Sequence, residues 1–369
     1  MKNLTTILIV DDSLIFRKIV QKCLEGEEDI QVVGSVRNGV KAIEFIKKQR
    51  PDLITLDIEM PEMNGIQTLS AVQELNAATN NLAPIGVIML SAFTKKGADI
   101  TIKALEAGAF DFITKPEGND QQKNYSTLRR QLLAKIRYFT SRRIASQNKQ
   151  SAPVITRPEE VVSEIKEPTE PVLQITQTRY KAILIGVSTG GPRALMSLIP
   201  DLCQRTNIPI LIVQHMPPKF TESLAESLNS KCKFQVVEAS NNITIQKEHV
   251  YIAPGGKHML VRKKGAEIII HTNEDKPVHG CRPSVDVLFE SASRVYGTDV
   301  IAVILTGMGT DGTEGLSFLK QRGVYAIAQD ESSSVVWGMP GSAVRAGLVN
   351  DIQPLDRIPE CIANTLKRV

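Results

Sequence analysis

Apolar and polar positions along the first 140 residues alternate in blocks. Short, largely apolar runs at 7–10, 32–36, 53–56, 87–90 and 110–113 read as strands of a buried sheet. Between them, apolar residues recur at helical spacing, as in Ile15-Phe16-Ile19-Val20 and Ala42-Ile43-Phe45-Ile46. Five such units predict a doubly wound parallel sheet, with functional groups gathered at the carboxyl ends of its strands. From 179 onward the pattern resumes. Strands are predicted at 182–187, 210–214, 234–237, 250–253, 259–262, 268–271, 301–305 and 325–328, and helices at 193–204, 221–228, 285–295, 312–321 and 359–366. Strands follow one another without helices between about 234 and 271, which predicts an antiparallel insertion in an otherwise parallel α/β domain.

The stretch 141–178 breaks both patterns. It has no Gly and no aromatic residue but contains Pro153, Pro158, Pro168 and Pro171, and its five basic residues offset five glutamates. Such a segment buries too little apolar area to order itself and reads as a semi-extended spacer. Docking of Val161, Val162 and Ile165 between the domains is the alternative. The expected organisation is therefore a domain over 1–140, a linker over 141–178 and a second domain over 179–369, in keeping with a chain of 369 residues.

Composition adds mostly exclusions. The chain is 42% hydrophobic and 23% charged with a net charge of +4, which is too mild and too dispersed to argue for nucleic acid. The first apolar run stops at Asp11-Asp12, so neither a signal peptide nor a membrane span is expected there. Cys23, Cys203, Cys232, Cys281 and Cys361 are odd in number, scattered and without a C-x-x-C pair. They fit reduced thiols of a cytoplasmic protein better than a disulfide framework or a zinc site.

Polar residues fall where chemistry is expected. Asp11-Asp12 follows the first strand, Asp57 the third, Ser91 the fourth and Lys115-Pro116 the fifth. Carboxylates converging at one sheet edge repel unless a hard cation sits among them, and Mg²⁺ suits oxygen ligands. One carboxylate can then attack a phosphoryl group, with Lys115 balancing charge and Ser91 donating a hydrogen bond. This ordered set resembles the receiver domain of two-component response regulators. The resemblance implies a flavodoxin-like fold, with Asp57 the phosphoacceptor, Ser91 and Lys115 the switch residues, and Asp11, Asp12 and Asp57 around Mg²⁺ together with the Glu59 carbonyl. Asn64 stands where the family usually has Asp. Either residue suits a helix start.

In the second half, Gly186-Val187-Ser188-Thr189-Gly190-Gly191-Pro192 joins a buried strand to a helix through a G-x-S-x-G turn, with Pro192 expected at the first helical position. A dinucleotide loop would want Gly where Ser188 stands, so a serine presented for chemistry is the better account. Serine needs a base, and His215 ends the next strand; the base needs a carboxylate, and Asp311 follows the strand at 301–305 in Thr306-Gly307-Met308-Gly309-Thr310-Asp311-Gly312. The order Ser, His, Asp differs from the Ser, Asp, His of the α/β-hydrolases.

Together with Gln214-His215-Met216-Pro217 and Arg282-Pro283-Ser284-Val285-Asp286, these motifs resemble the chemotaxis protein-glutamate methylesterases, end to end. That resemblance implies a serine hydrolase of glutamyl methyl esters and glutamines on chemoreceptors. Ser188 is then nucleophile, His215 base, Asp311 its orienting partner, and the main-chain N–H groups of Met308 and Thr189 oxyanion donors. It further implies a chemotaxis histidine kinase as phosphodonor, methyl-accepting receptors as substrate with only peripheral association with their arrays, no cofactor for the esterase step, and a monomer. The receiver is expected to cover the catalytic mouth, and phosphorylation of Asp57 to bias it away. Two other functions compete: a DNA-binding response regulator, which should carry a short helix-turn-helix output, and a cysteine hydrolase using Cys281 near His279.

Overall fold

A computed structural model describes residues 4–78, 83–118, 120–150 and 179–367. The linker positions 151–178, with the docking expected of Val161, Val162 and Ile165, lie outside the described residues.

The first domain alternates as expected: β1 (Thr5–Val10), α1 (Leu14–Leu24), β2 (Ile30–Val36), α2 (Gly39–Lys48), β3 (Leu53–Asp57), α3 (Gly65–Ala77), β4 (Gly86–Ser91), α4 (Lys95–Glu106), β5 (Asp111–Thr114) and α5 (Gln121–Gln150). The strands pair in parallel in the order β2-β1-β3-β4-β5. Helices cover both faces. Leu8 and Val10 of β1 pack into one apolar layer and Ile7 and Ile9 into the other, all fully buried. Each such side chain contributes about 1.5–3 kcal/mol through burial. Side-chain oxygens of Ser13, Asn38, Asn64 and Thr94 cap α1 to α4. Asn64 and Gln67 form a reciprocal capping box, so the departure at Asn64 leaves the helix start intact. Helix α5 runs past position 140, where the composition places the start of the spacer, because no Pro or Gly interrupts the chain before Pro153.

The second domain comprises β6 (Ala182–Val187), α6 (Gly191–Arg205), β7 (Ile210–Gln214), α7 (Phe220–Asn229), β8 (Gln235–Glu238), β9 (His249–Ile252), β10 (His258–Lys264), β11 (Glu267–Asn273), α8 (Val285–Tyr296), β12 (Val300–Ile304), α9 (Thr313–Gln321), β13 (Tyr325–Gln329), α10 (Met339–Arg345), β14 (Asp351–Gln353), a 3-10 turn at Leu355–Arg357 and α11 (Ile358–Lys367). Seven strands form a parallel sheet in the order β14-β13-β12-β6-β7-β9-β8. The strand order reverses at β6, which places a ligand crevice at its carboxyl end. The antiparallel insertion is smaller than expected. Antiparallel pairing joins β10 to β11, with a bridge from Thr244 to Ile269 beside it, whereas β8 and β9 join the main sheet in parallel through an irregular crossover instead of a helix. Pro192 enters α6 one residue after its first position, Gly191.

The two domains pack through α4 and α7. Phe220 stacks against Phe112 (ring centroids 4.9 Å apart) and Phe93 (6.5 Å). Around these rings Lys95 pairs with Glu222 (3.2 Å) and Glu226 (2.9 Å), Lys231 pairs with Glu106 (2.8 Å), and Lys219 donates to the Phe93 carbonyl (2.9 Å). Among the described residues no helix is long and apolar enough to cross a membrane.

Candidate active site and acidic switch pocket

Strands β12, β6 and β7 are neighbours in the sheet, so the residues that follow them meet at one edge. Ser188 follows β6, His215 follows β7, and Asp311 lies in the loop between β12 and α9. The Ser188 turn is held by its main chain: its N–H donates to Thr306 O (3.0 Å), and its carbonyl accepts from Gly191 N–H (2.8 Å) and the Gln214 amide (2.9 Å). Two glycines permit this. Gly190 caps α6 at φ 76°, and a Cβ on Gly307 would stand 2.8 Å from Ser188 Cβ and 2.3 Å from the Met339 sulfur.

Asp311 is 2% exposed, and its carboxylate is saturated. It accepts from His215 Nε2 (2.7 Å), the Ser284 hydroxyl (2.7 Å) and the N–H groups of Val285 (2.7 Å) and Asp286 (3.1 Å). Burial alone would raise its pKa. His215 and these donors outweigh it and hold the carboxyl well below the usual range. Burial likewise disfavours the imidazolium of His215, but Asp311, with the Cys281 sulfur, lifts it to about 9.

With Nε2 held by Asp311, Nδ1 is the ring nitrogen left for chemistry. The Cys281 sulfur stands 3.6 Å from it, and no hydrogen bond joins Ser188 to the ring among the described residues. Cys281 also lies 3.8 Å from the His279 carbonyl, so the rival pairing of Cys281 with the His279 ring is not formed. Arg282 donates to the carbonyls of Glu274 (2.8 Å) and Asp275 (3.1 Å), which pins the loop before α8.

Ser188, Thr189, His215, Cys281 and Met308 share a cleft of about 490 Å³. The main-chain N–H groups of Thr189 and Met308 have no acceptor among the described residues. The opposite wall belongs to the first domain: Phe112, Thr114, Arg130 and Lys135, from β5 and α5, line the same cleft.

In the first domain the expected acidic pocket forms at the ends of β1 and β3. One carboxylate oxygen each of Asp11, Asp12 and Asp57 lies within 4.8 Å of the others. Asp11 and Asp57 are buried while Asp12 is exposed, and Lys115 reaches Asp11 (2.8 Å) and Asp57 (2.9 Å). This all-oxygen, carboxylate-rich set fits a hard divalent cation. Burial dominates at Asp57 and pushes its carboxyl up to about 6 despite Lys115. Ser91 ends β4 as expected, but its hydroxyl faces α4, accepting from Thr101 (2.8 Å) and donating to Gly97 O (3.1 Å).

Sequence reasoning did not place Cys281 beside His215, nor Ser284 and the start of α8 beneath Asp311. Ser284 stands in the Arg282-Pro283-Ser284-Val285-Asp286 motif, which was a signal. Cys281 carries none, since it approaches His215 from a loop 66 residues away in sequence.

Known proteins resemble both halves of the chain. Residues 183–362 match the family described as CheB methylesterase, and residues 7–125 the response regulator receiver domain. The protein-glutamate methylesterase/protein-glutamine glutaminase of Desulfotalea psychrophila is 42% identical over 369 residues, covering 100% of both chains. That of Bacillus subtilis is 40% identical over 365 residues, covering 98% of each. The crystal structure of the Thermotoga maritima CheB methylesterase catalytic domain aligns with 50% of this chain and 98% of its own, at 39% identity and a TM-score of 0.49. Full-length identity to these relatives, a receiver pocket, and serine, histidine and aspartate at adjacent strand ends lead to one assignment: the chain belongs to the family of protein-glutamate methylesterases/protein-glutamine glutaminases.

Proposed function

We propose that this protein is a phosphorylation-regulated serine hydrolase that demethylates γ-glutamyl methyl esters of chemoreceptors and deamidates receptor glutamines. The observation that carries the reading is the saturated Asp311 carboxylate holding His215 by Nε2, one strand from Ser188 in the same cleft. Asp311 fixes the ring's tautomer and stabilises its charged form. Nδ1 of His215 takes the proton from the Ser188 hydroxyl as its oxygen attacks the γ-carbonyl. The N–H groups of Thr189 and Met308 receive the oxyanion. Collapse breaks the ester C–O bond, and His215 returns the proton to the leaving methanol, or to ammonia when the substrate is a glutamine amide. One water, deprotonated by His215, then releases the acyl-enzyme as glutamate. Nucleophile and base need not touch before substrate binds, because such contacts commonly tighten only in the complex.

The first domain regulates this chemistry. Asp57 accepts phosphate, and Asp11, Asp12 and Asp57 would hold Mg²⁺, which neutralises phosphoryl charge when bound. Lys115 balances the phosphorylated state. Ser91, turning from α4 toward the phosphoryl group, would loosen α4, the helix that grips α7. The domain boundaries supporting this division are 1–140, 141–178 and 179–369. The expected partners are a chemotaxis histidine kinase and receptor arrays, with the enzyme acting as a cytoplasmic monomer.

Cys281 beside His215 Nδ1 favours a second reading, in which the thiol is the nucleophile. Two variants separate the readings. Ser188→Ala is expected to abolish methanol release from methylated receptor membranes while Asp57 still accepts phosphate, and Cys281→Ala to retain release. The reverse pattern would establish the thiol enzyme.

A further inference from the structure

A second group of side chains converges behind the triad. His279, in the loop before α8, holds its Nε2 3.3 Å from the Asp286 carboxylate and 3.9 Å from that of Glu314. Asp286 lies in the first turn of α8 and Glu314 in the first turn of α9. One ligand atom from each lies within 4.8 Å of the other two.

The state of Asp286 sets this cluster apart from a chance surface grouping. The residue is 6% exposed. Its Oδ1 accepts from Gly315 N–H at 2.6 Å, while its Oδ2 is buried with no hydrogen-bond partner, although the His279 nitrogen stands nearby. No Lys or Arg pairs with Asp286 among the described residues, and the adjacent Asp311 carboxylate adds like charge. A buried carboxylate oxygen without a hydrogen bond, faced by a single half-exposed imidazole, is costly and calls for a further partner.

We propose that His279, Asp286 and Glu314 form a site for a divalent transition-metal ion, of which Zn²⁺ is the best-suited probe. Metal–ligand bonds of about 2.0–2.2 Å place neighbouring ligand atoms roughly 3.0–3.6 Å apart. The His279–Asp286 separation of 3.3 Å lies in that range, and the exposed Glu314, 3.9 Å from His279, would close in on the ion. One imidazole with two carboxylates is a donor set for Zn²⁺ or its neighbours, whereas Mg²⁺ favours oxygen ligands alone. The side chains of His279 and Glu314 are 47% and 67% exposed, so the ion has an entry path and room for water ligands, while Asp286 anchors it. Bound there, the ion ties together the loop before α8 and the starts of α8 and α9. Asp286 N–H donates to Asp311, and Cys281, two residues beyond His279, touches His215. Metal binding stands independently of the esterase reading, because its test reads binding.

The test uses the full chain, stripped by chelator and kept in excess Mg²⁺ to mask the receiver carboxylates. Zn²⁺ is titrated by calorimetry, and Co²⁺ by visible absorption. One equivalent is expected to bind and to raise the thermal midpoint. Affinity should fall at least about tenfold in His279→Ala and in Glu314→Gln, a loss that even outer-shell changes produce. Both side chains are exposed enough for the metal-free midpoints to match the parent protein, and Cys281→Ser should bind as the parent does. Three results would overturn the proposal: no saturable binding under the Mg²⁺ mask, unchanged affinity in His279→Ala, or a thiolate-to-cobalt charge-transfer band that Cys281→Ser removes. The last would put the ion on His215 and Cys281.

Discussion

Two buried aspartates sit at the carboxyl ends of two parallel sheets in this molecule, and their surroundings differ in the way their tasks require. Asp311 accepts from four donors, and its carboxyl is held far below the usual range. Asp57 accepts one main-chain N–H, from Ile58 at 2.8 Å, and a Lys115 ion pair, and burial raises it to about 6. A carboxylate that orients another group works best with every lone pair engaged, because saturation fixes its position and its charge. A carboxylate that must itself form a bond works best under-coordinated. The difference separates the aspartate that stays in place from the one that reacts.

The largest effect expected from this contrast lies at Asp311. Asp311→Asn keeps the size but loses the charge and supports the wrong tautomer of His215, which costs about 10⁴-fold in turnover in the related triad chemistry. The same variant tests the electrostatics. A protonated His215 cannot take the serine proton, so activity is lost as pH falls through its pKa, which the parent protein holds near 9. Without the carboxylate, burial is opposed by the Cys281 sulfur alone, and that pKa falls. The rising limb of kcat/KM against pH should therefore move to lower pH in Asp311→Asn. A limb that stays in place would sever the link between the two residues.

Next in size is Asp57→Asn. It should leave the basal esterase rate unchanged and remove all stimulation by a phosphodonor, measured as methanol release. Stimulation that survived would place the phosphoacceptor elsewhere. The smallest effect is expected at the domain contact. Lys95 pairs with Glu222 and Glu226, all three at least 38% exposed, and surface pairs of this kind contribute about 0–1 kcal/mol each. Lys95→Glu breaks both and adds repulsion. Since 1.4 kcal/mol is tenfold, the basal rate should rise by about two- to tenfold, with a smaller further gain on phosphorylation. An unchanged basal rate would mean that the α4–α7 contact does not restrain the enzyme.

The two sites were also unequally legible from sequence. In the receiver, Asp11, Asp57 and Ser91 each follow an apolar run at once, and Lys115 follows one after Thr114, so strand ends and chemistry coincide in one dimension. In the catalytic domain this held for Ser188 and His215. Asp311 lies seven residues beyond β12 and was found through its glycine-rich loop. What supports Asp311 comes from 25 to 27 residues earlier in the chain, at Ser284 and the start of α8, which reach it only in three dimensions. The strand β14 was missed because three edge residues are too few to establish a period, and α10 because Pro340 and Gly341 obscure a helix of seven. The parallel pairing of β8 with β9 was missed because two strands without a helix between them ordinarily form a hairpin. The state of Ser91, turned toward Gly97 and Thr101 and away from Asp57, is a rotamer and leaves no trace in the residue order.

The central claim is that Ser188 performs the chemistry and the first domain limits access to it. Methanol release from methylated receptor membranes, measured for the full chain with and without a small-molecule phosphodonor, tests it most directly. A low basal rate that rises on phosphorylation is expected, with silence under both conditions for Ser188→Ala. Equal rates with and without the phosphodonor, or a stimulated rate surviving in Ser188→Ala, would contradict it.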